Sequence, residues 1–166
     1  MTADTEEISV RLVALLPRLR RFARSLSRNQ HDADDLVQLG IERALRSLDQ
    51  FREGANLASW LFGIMKNAWI DICRARTRRA EVALPEDSGE HPAVSPADTD
   101  ASLWSVSAAM NKLPEDQRLA VALVLVEGMS YKDAAAVLEI PIGTLTSRLA
   151  RARSALAAAL SAEAPA

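Results

Sequence analysis

The sequence predicts an all-α protein of two small helical domains joined by a flexible acidic linker, with a helix-turn-helix in the second domain. Apolar residues recur at three- and four-residue steps along most of the chain, which places them on one side of a helix. Residues 80–102 lose this periodicity and are rich in proline, serine and acidic residues, as flexible linkers are. Residues 130–153 read as two short helices joined by a tight turn. We therefore expect one domain at residues 1–79 and another at residues 103–160.

The composition is that of an ordinary soluble protein, with 49% hydrophobic and 25% charged residues. No apolar run approaches the roughly 20 residues that span a bilayer. The N-terminus, MTADTEEISV, lacks the basic-then-apolar order of a signal peptide. The single cysteine, Cys73, excludes an internal disulfide. These features favour a cytoplasmic protein with no membrane partner.

The net charge of −2 hides an uneven distribution along the chain. Residues 1–79 carry a net charge of +4, residues 80–102 carry −6, and residues 103–166 are neutral. The acidity therefore lies in the predicted linker, and the flanking domains hold local basic patches. Because local surface charge attracts phosphate, the total does not exclude a nucleic-acid partner.

The first quarter of the chain predicts two helices that meet at a proline. Residues 5–16 have an apolar side, and Pro17 interrupts them. Since proline is tolerated at the first position of a helix, a second helix is expected at residues 17–27. The arginines outside its apolar stripe are most simply a solvated face: Arg18, Arg20, Arg21, Arg24 and Arg28.

Two longer helices complete the predicted first domain. One runs over residues 32–48, with Asp32 as its expected N-cap and further acids in its first turn. The other runs over residues 57–79, capped by Asn56 or its neighbour.

The helix at residues 57–79 ends in four arginines within six residues: Arg74, Arg76, Arg78 and Arg79. Cations are favoured at a helix C-terminus, which is the ordinary explanation. Their number exceeds what capping requires, so they also indicate nucleic-acid contact. Trp60 and Trp69 on the same helix are either core residues or platforms that stack on unpaired bases.

The segment LAVALVLV at residues 119–126 could be a buried strand or a buried helix. Pro114 suits a first helical turn and Gly128 suits a helix C-terminus, so we expect a helix. Because it is apolar on all sides, it should be the central helix of the second domain. A further helix is predicted before it at residues 101–112.

The helix-turn-helix pattern begins at Ser130, a suitable N-cap, and turns at Pro141. The apolar residues of its second helix share one face, and polar residues point away from it. In such motifs the second helix enters the DNA major groove, where hydroxyls and arginines contact bases and phosphates. An ordinary helical hairpin with a solvated polar face is the alternative. The apolar residues are Leu145, Leu149, Ala152 and Leu156, and the polar ones are Thr144, Ser147, Arg148 and Arg151, with Arg153 near the boundary.

These motifs together resemble bacterial RNA polymerase sigma factors of the small, two-domain, extracytoplasmic-function type. DADDLVQLGIERALRSLDQF followed by NLASWLFGIMKNAWIDICRARTRR resembles sigma region 2. LPEDQRLAVALVLVEGMSYKDAAAVLEIPIGTLTSRLARAR resembles sigma region 4. Within the group, LPRLRRFARSL is most similar to the alphaproteobacterial general-stress type.

The resemblance implies a protein with no catalytic site, metal or cofactor, which binds core RNA polymerase at its clamp and flap and directs it to promoter DNA. An anti-sigma protein and a role in a stress or envelope response are also implied. The residues implied to face the polymerase clamp are Asp32, Asp35, Gln38 and Glu42. Those implied to meet the downstream "−10" element are Asn56, Ser59, Trp60, Lys66, Asn67, Arg74, Arg76, Arg78 and Arg79. Those implied to read the upstream "−35" element are Thr144, Thr146, Ser147, Arg148, Arg151 and Arg153.

Several positions depart from the usual pattern of this family. Leu39 stands where a glutamate is usual, and Gly40 lies inside a helix, where glycine costs roughly 1 kcal/mol. Glu139 occupies a turn position that usually carries glycine, and a left-handed backbone there would cost about 1–2 kcal/mol. Thr146 replaces a common lysine. We expect an active sigma factor with somewhat weaker contacts.

Other classes of function fit less well. A sigma mimic that only binds an anti-sigma protein need not keep DNA-facing arginines. A stand-alone helix-turn-helix regulator does not account for the acidic linker or the region 2-like block. An enzyme fits least, because His31 and His91 lack metal-spaced partners and no P-loop, GxSxG or HExxH pattern occurs.

Overall fold

The residues that the computed structural model describes, 2–82 and 101–163, form helices and connecting turns with no strand among them. The predicted linker lies outside these residues except at its two ends, which are helical. None of the described helices combines the length and apolar character that crossing a membrane requires. The first domain contains α1 (Thr2–Leu26), α2 (Gln30–Arg46), a single 3₁₀ turn (Leu48–Gln50) and α3 (Leu57–Val82). The second contains α4 (Ala101–Lys112), α5 (Glu115–Val121), a π-helical segment (Ala122–Val126), α6 (Tyr131–Leu138) and α7 (Ile142–Glu163).

Helix α1 is continuous through Pro17, so the predicted break there is wrong. Proline inside a helix removes a hydrogen bond and clashes with the preceding turn, at a cost of about 3 kcal/mol. Leu12 on one side of the proline and Leu19 and Phe22 on the other are all buried in one core. The packing of both halves on the same neighbours holds the helix together across the proline.

Asn29, rather than Asp32, caps α2, so the helix begins earlier than predicted. The side-chain oxygen of Asn29 accepts a hydrogen bond from the backbone N–H of Asp32 at 2.8 Å. Asp32 lies in the first turn, where a carboxylate is favoured by the helix dipole. Asn56 caps α3 as predicted, accepting from the N–H of Ser59 at 3.1 Å.

Helices α2 and α3 approach each other closely at Gly40. A Cβ atom at that position would lie 2.7 Å from Cγ of Met65, a side chain that is almost fully buried. The glycine inside α2 is therefore required by packing, which offsets its roughly 1 kcal/mol cost to the helix.

The LAVALVLV segment is helical, as predicted, and its residues from Leu119 to Val124 are buried. Gly128 follows the π-helical segment with φ of 69°, a left-handed conformation that glycine adopts freely. Ser130 caps α6 by accepting from the N–H of Asp133 at 3.1 Å. Glu139 ends α6 with φ of 57° and ψ of 42°, so the suspected left-handed backbone is present.

The two domains pack against each other. The π-helical segment, α4 and α5 contact α1, and α6 contacts α3. The buried apolar residues of both domains belong to one connected cluster. As a result, surfaces of α1 and α3 that the first domain alone would expose lie at an interface.

We expect Gly40→Ala to lower the free energy of unfolding by about 1–2 kcal/mol, because the buried Met65 side chain must move. Gly63→Ala in α3 is the matched control, since nothing lies within 4 Å of a Cβ atom built there. That substitution should be neutral or raise the free energy of unfolding by up to about 1 kcal/mol. Urea unfolding followed by circular dichroism measures both, and equal effects would contradict the packing role of Gly40.

Candidate nucleic-acid interface

The outer face of α7 is open to solvent. Thr144, Thr146, Ser147 and Arg151 are exposed, while Leu145 and Leu149 hold the opposite face in the core. The hydroxyl of Thr146 donates to the carbonyl of Ile142 at 2.9 Å, and the hydroxyl of Ser147 donates to Gly143 at 3.1 Å. Their free lone pairs can therefore accept hydrogen bonds from a ligand. The arrangement is that of a helix-turn-helix with an unobstructed second helix.

The three arginines of α7 differ in their partners. Arg148 pairs with Asp116 of α5 at 3.2 Å, and Arg153 donates to the hydroxyl of Tyr131 at 3.3 Å. Arg151 forms no ion pair with any residue that the structure describes. Of the three, Arg151 is therefore the cation most available to a phosphate.

The arginine-rich end of α3 is also exposed. Arg74, Arg78 and Arg79 extend into solvent. Arg76 instead pairs with Asp32 at 2.8 Å and lies over the ring of Trp69. The end of the helix thus presents three available cations and one that holds α2 and α3 together.

The two tryptophans have different environments. Trp69 is 2% exposed, and its indole N–H donates to the carboxylate of Glu115 in the second domain. Trp60 is half-buried, with its ring 5.2 Å from that of Phe51. Trp69 is therefore a core residue, and Trp60 lies at the edge of the core.

The remaining residues expected at the −10 element lie on the side of α3 that faces α6, where Asn56 and Asn67 are exposed and Lys66 is buried. Asn56, Ser59, Trp60 and Asn67 line a cleft of about 480 Å³ whose far wall is α6. Lys66 lies in the same cleft, where its side chain is 5% exposed and its ammonium group pairs with Glu139 at 3.0 Å.

Of the four residues expected to face polymerase, Asp35, Gln38 and Glu42 are exposed on α2, whereas Asp32 is half-buried. Gln38 and Glu42 line an open groove between α1 and α2. Asp35 lies 3.4 Å from His31, and Asp32 is turned towards Arg76. The groove is instead completed by Asp34, which the sequence did not single out.

Glu127 makes the principal ionic contact between the domains. Its side chain is 0% exposed and lies between two arginines of α1. Arg21 donates to both of its oxygens at 2.9 Å, and Arg18 donates to one of them at 3.2 Å. The hydrogen bonds and charge of Glu127 raise the pKa of Arg21. Because these pairs are more than 100 positions apart in the chain, no local pattern indicates them.

Arg118 makes a further polar contact across the interface. It donates to the backbone carbonyl of Leu26 at the end of α1, at 2.9 Å, and to two carbonyls of its own domain. Burial lowers its pKa, although Glu115 nearby acts in the opposite direction. The described residues contain no group of histidine, cysteine and acidic side chains that could hold a metal ion.

The comparison with known proteins agrees with these two helical units. The model of Sigma-70 region 2 matches residues 12–79, and that of Sigma-70 region 4 matches residues 103–156. The ECF RNA polymerase sigma factor EcfG of Rhodopseudomonas palustris (strain TIE-1) is 41% identical over 156 residues, 94% of this chain and 86% of that protein.

Two solved structures match across both domains. The sigma factor RpoE in complex with the anti-sigma factor NepR from Bartonella quintana has a TM-score of 0.78 and 37% identity, covering 96% of this chain and 99% of that one. CnrH in complex with the cytosolic domain of CnrY has a TM-score of 0.71 and 27% identity, covering 96% and 91%.

A region 2 followed by a region 4 defines the short class of sigma-70 proteins. This chain belongs to that family as an ECF RNA polymerase sigma factor, similar to the alphaproteobacterial EcfG. The resemblance inferred from the sequence is thereby confirmed.

Cys73 provides a probe of the contact between the domains. Burial raises its pKa from 9.0 to about 12, and Glu115 of the second domain contributes in the same direction. Because the thiolate is the reactive form and its fraction falls as the pKa rises, we expect modification at pH 8 to be about tenfold or more slower than in the unfolded chain. A stopped-flow thiol assay with and without urea measures this ratio, and similar rates would show that Cys73 is not shielded.

Proposed function

We propose that this sigma factor binds core RNA polymerase and directs it to specific promoters, as part of a stress or envelope response. The observation that carries the proposal is that both sigma regions present exposed arginines on helices suited to DNA: Arg74, Arg78 and Arg79 on α3, and Arg151 on α7. The protein itself is not an enzyme, since polymerase supplies the chemistry. It acts in the cytoplasm.

In this proposal residues 103–160 form the region 4 domain, and α7 reads the −35 element. Thr144, Thr146 and Ser147 meet base edges or phosphates near the start of the helix, and Arg151 meets a phosphate further along. Arg148 can join them by exchanging Asp116 for DNA. Each good base contact contributes about 1–3 kcal/mol to discrimination.

Residues 1–79 form the region 2 domain, which meets the −10 element. Opening the duplex requires bases to leave the stack, at a few kcal/mol each. Lys66, Asn67 and the arginines at the end of α3 supply the cations and hydrogen bonds that offset this cost, and Trp60 lies beside them. The groove that holds Gln38 and Glu42 receives the polymerase clamp.

An anti-sigma protein is the expected regulator of this chain. The support is its similarity to RpoE and CnrH, the first solved with an anti-sigma factor and the second with the cytosolic domain of CnrY.

Run-off transcription with core RNA polymerase and a promoter library tests the proposal. We expect transcripts that start at a defined subset of promoters. Binding of an anti-sigma protein without binding of core polymerase would contradict the proposal and favour a sigma mimic.

Arg151→Ala should weaken binding of region 4 to promoter duplex and lower the salt slope of log K by about 0.9, the value of one phosphate contact. The control is Arg11→Ala, an exposed arginine of α1 far along the chain from both DNA faces. Fluorescence anisotropy at several salt concentrations gives the slope. An unchanged slope for Arg151→Ala would remove that residue from the interface.

A further inference from the structure

We infer that Glu139 is an internal competitor of nucleic acid: from the turn of the helix-turn-helix its carboxylate holds Lys66, so the closed packing of the domains keeps this cation of the −10 face occupied until the domains separate. This inference rests on the proposed function, because it takes the face of α3 around Lys66 as the −10 surface.

Lys66 needs a partner because its side chain is only 5% exposed. A buried ammonium group without a counter-charge is strongly unfavourable. The ion pair that the structure describes for it is with Glu139, at 3.0 Å, and Glu139 belongs to the other domain. The same ammonium group would have a phosphate as its counter-charge in a complex with DNA. The carboxylate and a phosphate are therefore alternative partners.

The backbone at Glu139 indicates that its side chain is important. Among the described residues it is the only non-glycine residue with a positive φ, 57°. A glycine there would avoid a strain of about 1–2 kcal/mol. Strain of this kind persists where the surrounding structure holds it in place. The contact that the glutamate side chain gains, and that glycine could not make, is the ion pair with Lys66.

The rest of α6 lies across a cleft from the same face. Asp133, Ala136 and Val137 line the wall of the cleft opposite Asn56 and Asn67. The covering helix therefore brings acidic side chains to a face that carries a cation and amide donors. This arrangement would repel a nucleic-acid strand while the domains stay closed.

A separate contact makes the closed arrangement testable without changing the DNA face. The side chain of Glu127 is fully buried between Arg18 and Arg21 of α1 and takes no part in the pair between Glu139 and Lys66. Replacing Glu127 should release the domains while leaving every residue of the proposed −10 face unchanged.

The experiment uses the full chain and two measurements: its affinity for a short single-stranded DNA of mixed sequence at low salt, and the rate of Cys73 modification. If DNA binding and Cys73 modification both require the open form, the affinity and the rate change by the same factor when the opening equilibrium changes. Glu139→Gln should raise both by about three- to tenfold, because Lys66 loses its counter-charge in the closed form. Glu139→Gly should do the same, and it carries no risk of misfolding from backbone strain.

The effect of Glu139→Gln is then measured again in the Glu127→Ala variant, in which the domains are expected to be already released. Glu127→Ala should raise both measurements by itself, and Glu139→Gln added to it should then change neither by more than about twofold. A rise in DNA affinity without a rise in the Cys73 rate would show a simple charge effect and overturn the inference. Faster Cys73 modification with unchanged DNA affinity would also overturn it, because Glu139 would then not compete with nucleic acid.

These outcomes are separable from failure of the proposed function. Run-off transcription by the unmodified chain tests whether it is a working sigma factor, whatever Glu139 does. An active factor in which the Glu139 variants change neither measurement would contradict the inference alone.

Discussion

The contact of Glu127 with Arg18 and Arg21 determines which surfaces of this protein are available. A carboxylate with no solvent exposure is tolerated only because two guanidinium groups surround it. Both arginines belong to the first domain and Glu127 to the second, so the pairing exists only when the domains are closed. Arg18 and Arg21 are already 36% and 53% exposed, so separation would newly hydrate only the Glu127 carboxylate.

The closed form leaves the polar surfaces of α3 and α7 in different states. The outer face of α7 and the arginine end of α3 are exposed and need no rearrangement to meet phosphate. On the side of α3 that faces α6, Lys66 is buried and paired with Glu139, whereas Asn56 and Asn67 are exposed. In the closed form the cations at the end of α3 and on α7 are therefore open to solvent, whereas Lys66 is buried and held by Glu139.

Local rules predicted much of the fold, and long-range contacts account for the failures. Helix type, the caps at Asn56 and Ser130, and the helical character of LAVALVLV follow from spacing and from end signals within a few residues. The break expected at Pro17 is wrong because burial of Leu12 and Phe22 on one core outweighs a local penalty. Gly40 and Glu139 both violate a local preference, and each is explained by one residue of α3: Met65 for the glycine and Lys66 for the glutamate.

Long-range contacts also limited what the sequence could predict of the candidate site. The residue types and their spacing along the helices indicated the arginines, but no sequence pattern pairs Asp32 with Arg76 or Glu127 with Arg21.

Small-angle X-ray scattering of the free full chain, compared with Glu127→Ala, tests most directly whether this ion pair holds the domains together. The account predicts a radius of gyration several Å larger for the variant, with the same helical circular dichroism, because the domains separate and remain folded. An identical radius for the two proteins, under conditions in which both are monomeric, would contradict it.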